Sequence, residues 1–259
     1  MTKPYRLLFA LLLIPLLSGT APAQESLSRS GRLTLKPGLG VEYINRTIEW
    51  GDDTSSAMKS LLMTFHAEIE LQDGFSVAAI AGYSMANTES LIFRELPLSV
   101  DLEVGNIGGI VLGAEVEKSL FFWREFTIFG KARFLSYLGS DNEWTIPGLN
   151  VEGSLTGKPN WMQGQIGPMV VYEGLDYFQP YVFVQYNRLW GTFQLDETVL
   201  ELKGTEEKSI SGKSQICTGL GTTYALTDAF IFKAEAAVMP YSGGIDWSMF
   251  LKFQYSFRL

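Results

Sequence analysis

The sequence predicts an all-β fold, a transmembrane antiparallel up-and-down β-barrel of ten strands, with eight and twelve as alternatives and with long hairpins on one side. Three observations predict it. From Gly31 onward nearly every stretch alternates apolar and polar residues at period two, and no long stretch repeats at 3.6. Tight connectors alternate with long polar ones, as in a meander. The N-terminus reads as an export signal, and no later apolar run is long enough for a helical span.

The signal comes first. Lys3 and Arg6 form a positive start, "LLFALLLIPLLSG" is the apolar stretch, and Ala21-x-Ala23 supplies a cleavage site before Gln24. The apolar run is about 11–13 residues, short of the ~20 that a spanning helix needs. Removing Lys3 and Arg6 leaves 18 Lys+Arg against 28 Asp+Glu, a net charge of −10. The whole chain, 259 residues with a net charge of −8, offers no basic patch for nucleic acid. At 46% hydrophobic and 13% aromatic it is too apolar to stay disordered. One cysteine, Cys217, excludes an intrachain disulfide and a cysteine-based metal cluster.

The strands follow in order. "RLTLKPGLGVEYI" sets Leu33, Leu35, Pro37, Leu39, Val41 and Tyr43 against Arg32, Thr34, Lys36, Gly38, Gly40 and Glu42. "SLLMTFHAEIEL" sets Leu61, Met63, Phe65, Ala67, Ile69 and Leu71 against Ser60, Thr64, His66, Glu68 and Glu70. "FSVAAIAGYSM" follows with Phe75, Val77, Tyr83 and Met85. From Leu98 to Val116 the even positions are apolar, among them Val104, Ile110 and Leu112, and Glu115 and Glu117 take the odd phase. Further strands cover Phe126–Leu138, 161–172, 180–190, 213–224, 230–238 and the terminal "WSMFLKFQYSFRL". Tight turns fall at 71–75, 119–126, 172–180 and 225–230, and longer polar connectors at about 45–59, 87–97, 139–160 and 195–208. Strands 98–117 and 195–213 alternate beyond the ~9–11 residues that a membrane strand needs, so they are expected to rise above the bilayer.

The apolar face is expected to point outward. The other face is rich in Gly, Ser, Thr and Gln and carries scattered charge, which suits a narrow lumen better than a solvated surface. Aromatics gather at strand ends. Phe122, Trp123, Tyr177 and Phe178 lie at the tight-turn end and Trp161, Trp190 and Trp247 at the long-loop end, the pattern of two aromatic girdles.

The final stretch "FLKFQYSFRL" resembles the terminal strand of Gram-negative outer-membrane β-barrel proteins, with Leu251, Phe253, Tyr255, Phe257 and Leu259 in the alternating apolar positions. The resemblance implies that these residues are the signal read by the barrel-assembly machinery. Leu259 stands where that pattern usually has Phe. The resemblance also implies outer-membrane lipid and lipopolysaccharide as surroundings and a monomer as the working unit. It divides the chain into a signal peptide (1–23), a short periplasmic segment (24–30) and the barrel (31–259).

The polar face holds Lys36, Glu42, Lys213, Lys252 and Arg258, and a candidate lumen cluster of Glu68, Glu70, Glu115, Glu117, Lys131, Arg133, Lys233 and Glu235. The strand carrying Glu115 and Glu117 forms a hairpin with that carrying Lys131 and Arg133, so cross-strand ion pairs are expected. Ten strands lie close to the eight at which side chains fill a barrel, so a narrow or plugged lumen is expected. Enzymes occur among such barrels: omptin proteases, also with ten strands, combine carboxylates with a histidine near the extracellular rim, and lipid-modifying barrels use a histidine and a serine. This chain has one histidine, His66, placed mid-strand with Glu68 and Glu70 as expected partners. No catalytic residue, metal or cofactor is therefore expected. "GDD" at 51–53 is expected as a turn tip or at most a weak cation site, and "DETVLELKGTEEK" as an acidic rim that stays solvated, the alternative being divalent cations that bridge lipopolysaccharide. The function expected is non-enzymatic: loops for surface binding or envelope integrity over a narrow or plugged lumen. The alternative is a narrow, porin-like channel for small or hydrophobic solutes. The folded protein is expected to need detergent and to migrate faster on gels when unheated; a protein that stays monodisperse without detergent overturns the barrel.

Overall fold

Period-two alternation produces strands, and β-branched and aromatic residues on one face stabilise them. In the computed structural model, residues 33–258 are described except 52–53, 72–73, 89–90, 94–95, 97–99, 103, 146–152 and 228. The signal peptide, segment 24–30, Leu259, Asp52 and Asp53 fall outside the described residues. The strands are β1 (Thr34–Trp50), β2 (Ser55–Leu71), β3 (Phe75–Thr88), β4 (Leu91–Phe93), β5 (Val100–Leu102), β6 (Gly105–Trp123), β7 (Phe126–Gly139) and β8 (Asn142–Thr145), then β9 (Gly153–Tyr172), β10 (Phe178–Val199), β11 (Leu202–Gly212), β12 (Ile216–Ala225), β13 (Phe230–Tyr241), β14 (Gly244–Tyr255) and β15 (Phe257–Arg258).

Among the described residues, ten strands make one antiparallel circuit: β1, β2, β3, β6, β7, β9, β10, β12, β13, β14 and back to β1. The seam pairs Gly38 with Gln254 through Asn45 with Trp247, and β15 extends it with Thr34 opposite Arg258. Closure leaves no free edge along the wall, which a sheet in hydrocarbon requires.

Outward side chains form an apolar band. Leu39 and Phe253 face each other across the seam and are 67% and 56% exposed. Val41, Met63, Phe65, Tyr83, Ile110, Leu112, Ile166, Val182, Val184, Leu220 and Met249 are exposed around the ring. A surface of this kind is stable against lipid rather than water. At the tight-turn end Phe122, Trp123, Tyr177 and Phe178 are exposed, and Trp123 stacks on Phe126 at 6.2 Å. The segment 119–126, expected as a tight turn, is mostly strand: β6 runs to Trp123 and only Arg124 and Glu125 turn, with Arg124 at φ 55. A β-bulge between Ser119 and Phe121 shifts the register, so Phe121 and Trp123 pair with Ile128 and Phe126 and join the outward side.

Above the band the polarity inverts. On β1 the outward row changes from Leu39, Val41 and Tyr43 to Asn45, Thr47 and Glu49, and the inward row changes from Gly40 and Glu42 to Ile44, Ile48 and Trp50. Of the residues 45–59, expected as a long polar connector, 45–50 and 55–59 are therefore strand. β10 changes in the same way, from outward Val182 and Val184 to Thr192 and Gln194, with Leu189, Phe193 and Leu195 inside. The ring also contracts. The β13–β14 hairpin ends at Tyr241 opposite Gly244, whereas β11 passes over it and pairs directly with β1, Ile48 with Gly212 to Trp50 with Ile210. Above the hairpin the circuit is β1, β2, β3, β6, β7, β9, β10, β11: eight strands among the described residues.

The segment 98–117 is not one strand. It breaks before Gly105, at φ +66, and β4 and β5 form a separate hairpin. Val104, expected to face outward, is buried, and Phe93 of β4 is 0% exposed inside the upper core. That core joins Ile48, Trp50, Leu62, Val111, Leu135 and Phe193 with their neighbours.

Phe193→Ala is expected to cost about 3–5 kcal/mol, because the rings of Trp50 and Phe93 lie 6.2 Å and 5.8 Å away and cannot collapse into the void. Leu200→Gly at the β10–β11 tip, where Leu200 has φ 55, is expected to be neutral or stabilising. Urea midpoints of the heat-modifiable form in micelles measure both.

Candidate functional site: the filled lumen

Three layers fill the interior. The lowest is ionic. Lys131 Nζ on β7 lies 3.3 Å from Glu115, 3.4 Å from Glu117 and 3.3 Å from Glu235. Lys233 Nζ on β13 lies 3.4 Å from Glu117 and 3.2 Å from Glu235, and Tyr181 OH donates to Glu235 Oε1 at 2.8 Å. β6 and β13 stand on opposite arcs of the ring, so the Lys233–Glu117 pair crosses the lumen. Arg133 also reaches across: its register neighbour is Glu115, and its Nη2 meets Glu42 Oε2 of β1 at 2.6 Å. Lys252 Nζ and Gln254 Nε2 hold Glu68 at 3.2 Å and 2.7 Å.

The structure thus brings Glu115, Glu117, Lys131, Lys233 and Glu235 into one linked group. Glu68 and Arg133 are held beside it by Lys252 and Glu42. Glu70 stands apart, paired with Lys36 at 2.6 Å and much more open to solvent. Buried charges survive only when paired, and here each has a partner of opposite sign.

His66 lies in the same lower half and is 1% exposed. Its expected partners are otherwise engaged, Glu68 by Lys252 and Glu70 by Lys36. Its Nε2 instead meets Thr64 Oγ1 at 2.9 Å, and its ring packs 5.8 Å from that of Phe250. Gly40 makes room for this stack: a Cβ there would come within 3.0 Å of both rings. Cys217 is buried inward, opposite Gln185. Among the described residues no three His, Cys, Asp or Glu side chains converge as a metal-ligand set.

The second layer is polar and sits where the ring contracts. Arg46 is fully buried and donates to Asn187 Oδ1 at 3.1 Å and to the Ser214 carbonyl at 2.7 Å. Asp246 accepts from the Thr47 backbone N–H at 2.8 Å and from Ser214 Oγ at 2.8 Å. It therefore joins β14 to β1 and to the break between β11 and β12. Sequence reasoning missed Arg46 and Asp246. The signal for Arg46 was its inward parity on β1, lost when the strand was ended at Ile44.

The third layer is the apolar core. Trp161, expected in the outer girdle, belongs to it: it is 2% exposed and stacks on Tyr137 at 5.1 Å and 15°. The reason is parity, because Gln163 two residues on also points inward. Trp144 likewise packs against the core and donates to the Val104 carbonyl at 3.3 Å. Trp190 and Trp247 remain on the outward face, half-buried and 36% exposed respectively. Leu251, Phe253, Tyr255 and Phe257 form the exposed outward row of the closing strand. Between the ionic and polar layers lies a cavity of ≈ 20 Å³ lined by Glu42, Arg133, Gln185, Cys217 and Phe250, room for about one water molecule.

No protein-family model and no curated protein matches the chain. Solved structures do. The outer membrane protease OmpT of Escherichia coli is similar at 11% identity, over 91% of this chain and 100% of that one, with a TM-score of 0.48. Ail, the attachment invasion locus protein of Yersinia pestis, is similar at 12% identity over 88% and 100%, with a TM-score of 0.34. The Pseudomonas putida toluene transporter TodX is similar at 11% identity over 92% of each chain, with a TM-score of 0.35. At these values the likeness carries no inference about substrate or activity; the fold and its lipid-facing band rest on the ring described above.

Arg133→Met is expected to destabilise the barrel by about 3–5 kcal/mol, because Glu42 is left buried without a partner. Adding Glu42→Leu is expected to restore most of the loss. A double-mutant cycle on urea midpoints measures the difference.

Proposed function

We propose that the chain is an integral outer-membrane β-barrel protein of a Gram-negative bacterium, exported by its N-terminal signal, whose barrel is closed to solutes and non-enzymatic. Its working surface is then the outside of the molecule. The raised strands β9, β10 and β11 and their connectors serve surface binding or envelope integrity. The observation that carries this reading is the stack of three layers in the lumen. An apolar core excludes ions, and the salt bridges beneath it already satisfy the charges that a conducting pore would leave facing water. The buried position of His66, hydrogen-bonded to a threonine and not to a carboxylate, supports the non-enzymatic part.

A narrow channel is the second reading. It is favoured by Phe93 and Leu96, which belong to the core yet lie in a segment outside the ring and could act as a removable plug.

Purified protein in planar bilayers is expected to give no single-channel steps. Steps in the wild type whose size changes on substitution of Lys131 or Arg133 would replace the closed barrel by the channel.

A further inference from the structure

One cation faces the wrong way for a lipid-embedded wall. Arg188 lies on the outward row of β10, between exposed Tyr186 and half-buried Trp190, and is itself exposed. The rows around it are apolar: Met162 and Ile166 on β9, Phe134 on β7 and Ile216 on β12 are exposed beside it. Its register partner on β9 is Gly164, which has no side chain to cover it. Among the described residues its guanidinium meets the Trp190 ring, at 6.0 Å, and no carboxylate. That distance is the outer limit of a cation–π contact, so the charge is left largely uncompensated by the protein.

A second cation stands close by. Lys213, expected on the lumen-facing row, instead continues the outward parity of Ser211, which pairs with Trp190, because the break between β11 and β12 separates it from the inward row of β12. Lys213 is partly engaged, 3.7 Å from Glu49 and 5.9 Å from the Tyr241 ring. Both cations lie at the level where the outward rows change from apolar to polar, which is where lipid headgroups lie. An unpaired Arg on a lipid face is costly near the midplane and nearly free at the interface, where phosphate can neutralise it.

We propose that Arg188, flanked by Trp190 and seconded by Lys213, is a lateral site for the phosphate of a membrane lipid in the leaflet next to the raised strands. The guanidinium offers a planar set of donors to phosphate oxygens. Trp190 and Phe134, whose rings lie 6.2 Å apart, provide the apolar shelf for the first carbons of the acyl chains. The proposal rests on the membrane-spanning reading of the barrel.

The test uses the folded full-length protein in dodecyl maltoside micelles doped with phosphatidic acid, with lipid retained after gel filtration as the readout. Wild type is expected to retain about five-fold more phosphatidic acid than Arg188→Gln. Lys203→Gln, on the raised hairpin, is expected to match wild type, and Arg188→Lys to fall between wild type and Arg188→Gln, because it keeps the charge but loses the planar fork. Inorganic phosphate is expected not to compete at equal concentration, because it lacks the chains that the shelf holds. Retention by wild type is also expected to fall as salt rises. Equal retention by wild type and Arg188→Gln overturns the site, as does a wild-type response flat in salt or full competition by inorganic phosphate. Arg188→Gln removes a charge from an apolar surface and leaves the interior intact, so folding is preserved. Failure of the membrane reading itself would show separately, as a wild-type protein that needs no detergent.

Discussion

Everything in this molecule follows from the hydrogen bonds between its first strand and its last. In hydrocarbon an unpaired backbone amide has no water to turn to, so a sheet survives there only as a ring. The seam of β1 on β14 and β15 makes that ring. Once it closes, one face of every strand must meet lipid and the other must meet the inside. Large apolar side chains form the outward band, and the inside is built from charged, polar and small residues packed with a few buried aromatics such as Phe183 and Phe250. Ten strands leave more space than such residues fill by packing alone. Long side chains of opposite sign reach over that space, and the Lys233–Glu117 and Arg133–Glu42 pairs act as struts across the lumen.

The upper half solves a different problem with the same strands. Out of the membrane the outer face meets water, so the alternation reverses and the interior becomes an ordinary apolar core. Such a core must be dense, and a ring of eight has a bore that side chains can fill. The contraction is achieved by ending one hairpin early. β13 and β14 stop, and β11 swings onto β1. The junction leaves backbone and side-chain polar groups in the interior, and Arg46, Asn187, Ser214 and Asp246 bind one another there. A buried arginine would be hard to explain in a plain barrel. Here it bridges the arcs that the missing strands would have joined.

Much of this was legible in the sequence, for a local reason. Period-two alternation is written residue by residue, so the outward rows of β1, β2 and β14 and the inward Glu115 and Lys131 follow from parity. The partners of those charges are another matter. Arg133 chooses Glu42 over its register neighbour because the lumen is narrow enough to reach across, and width is a property of the whole ring. The inversion above the band was missed because "INRTIEW" mixes polar and apolar residues and looks like a loop when only one polarity is sought. Trp161 was missed for the opposite reason: its position near a strand end was weighed above its parity. The pairing of β11 with β1 has no local signature, since it depends on the length of a hairpin that neither strand contains.

The short β13–β14 hairpin also bears on how a scaffold of this kind diversifies. Extra residues at the Leu200 tip would only lengthen a free end. Extra residues between Tyr241 and Gly244 would carry two more strands upward between β11 and β1. The mouth would then widen from eight strands to ten, and the core that fits the smaller bore would no longer fill it. A single loop length thus acts as the dimension that separates a stoppered barrel from an open one, with the rest of the wall left unchanged.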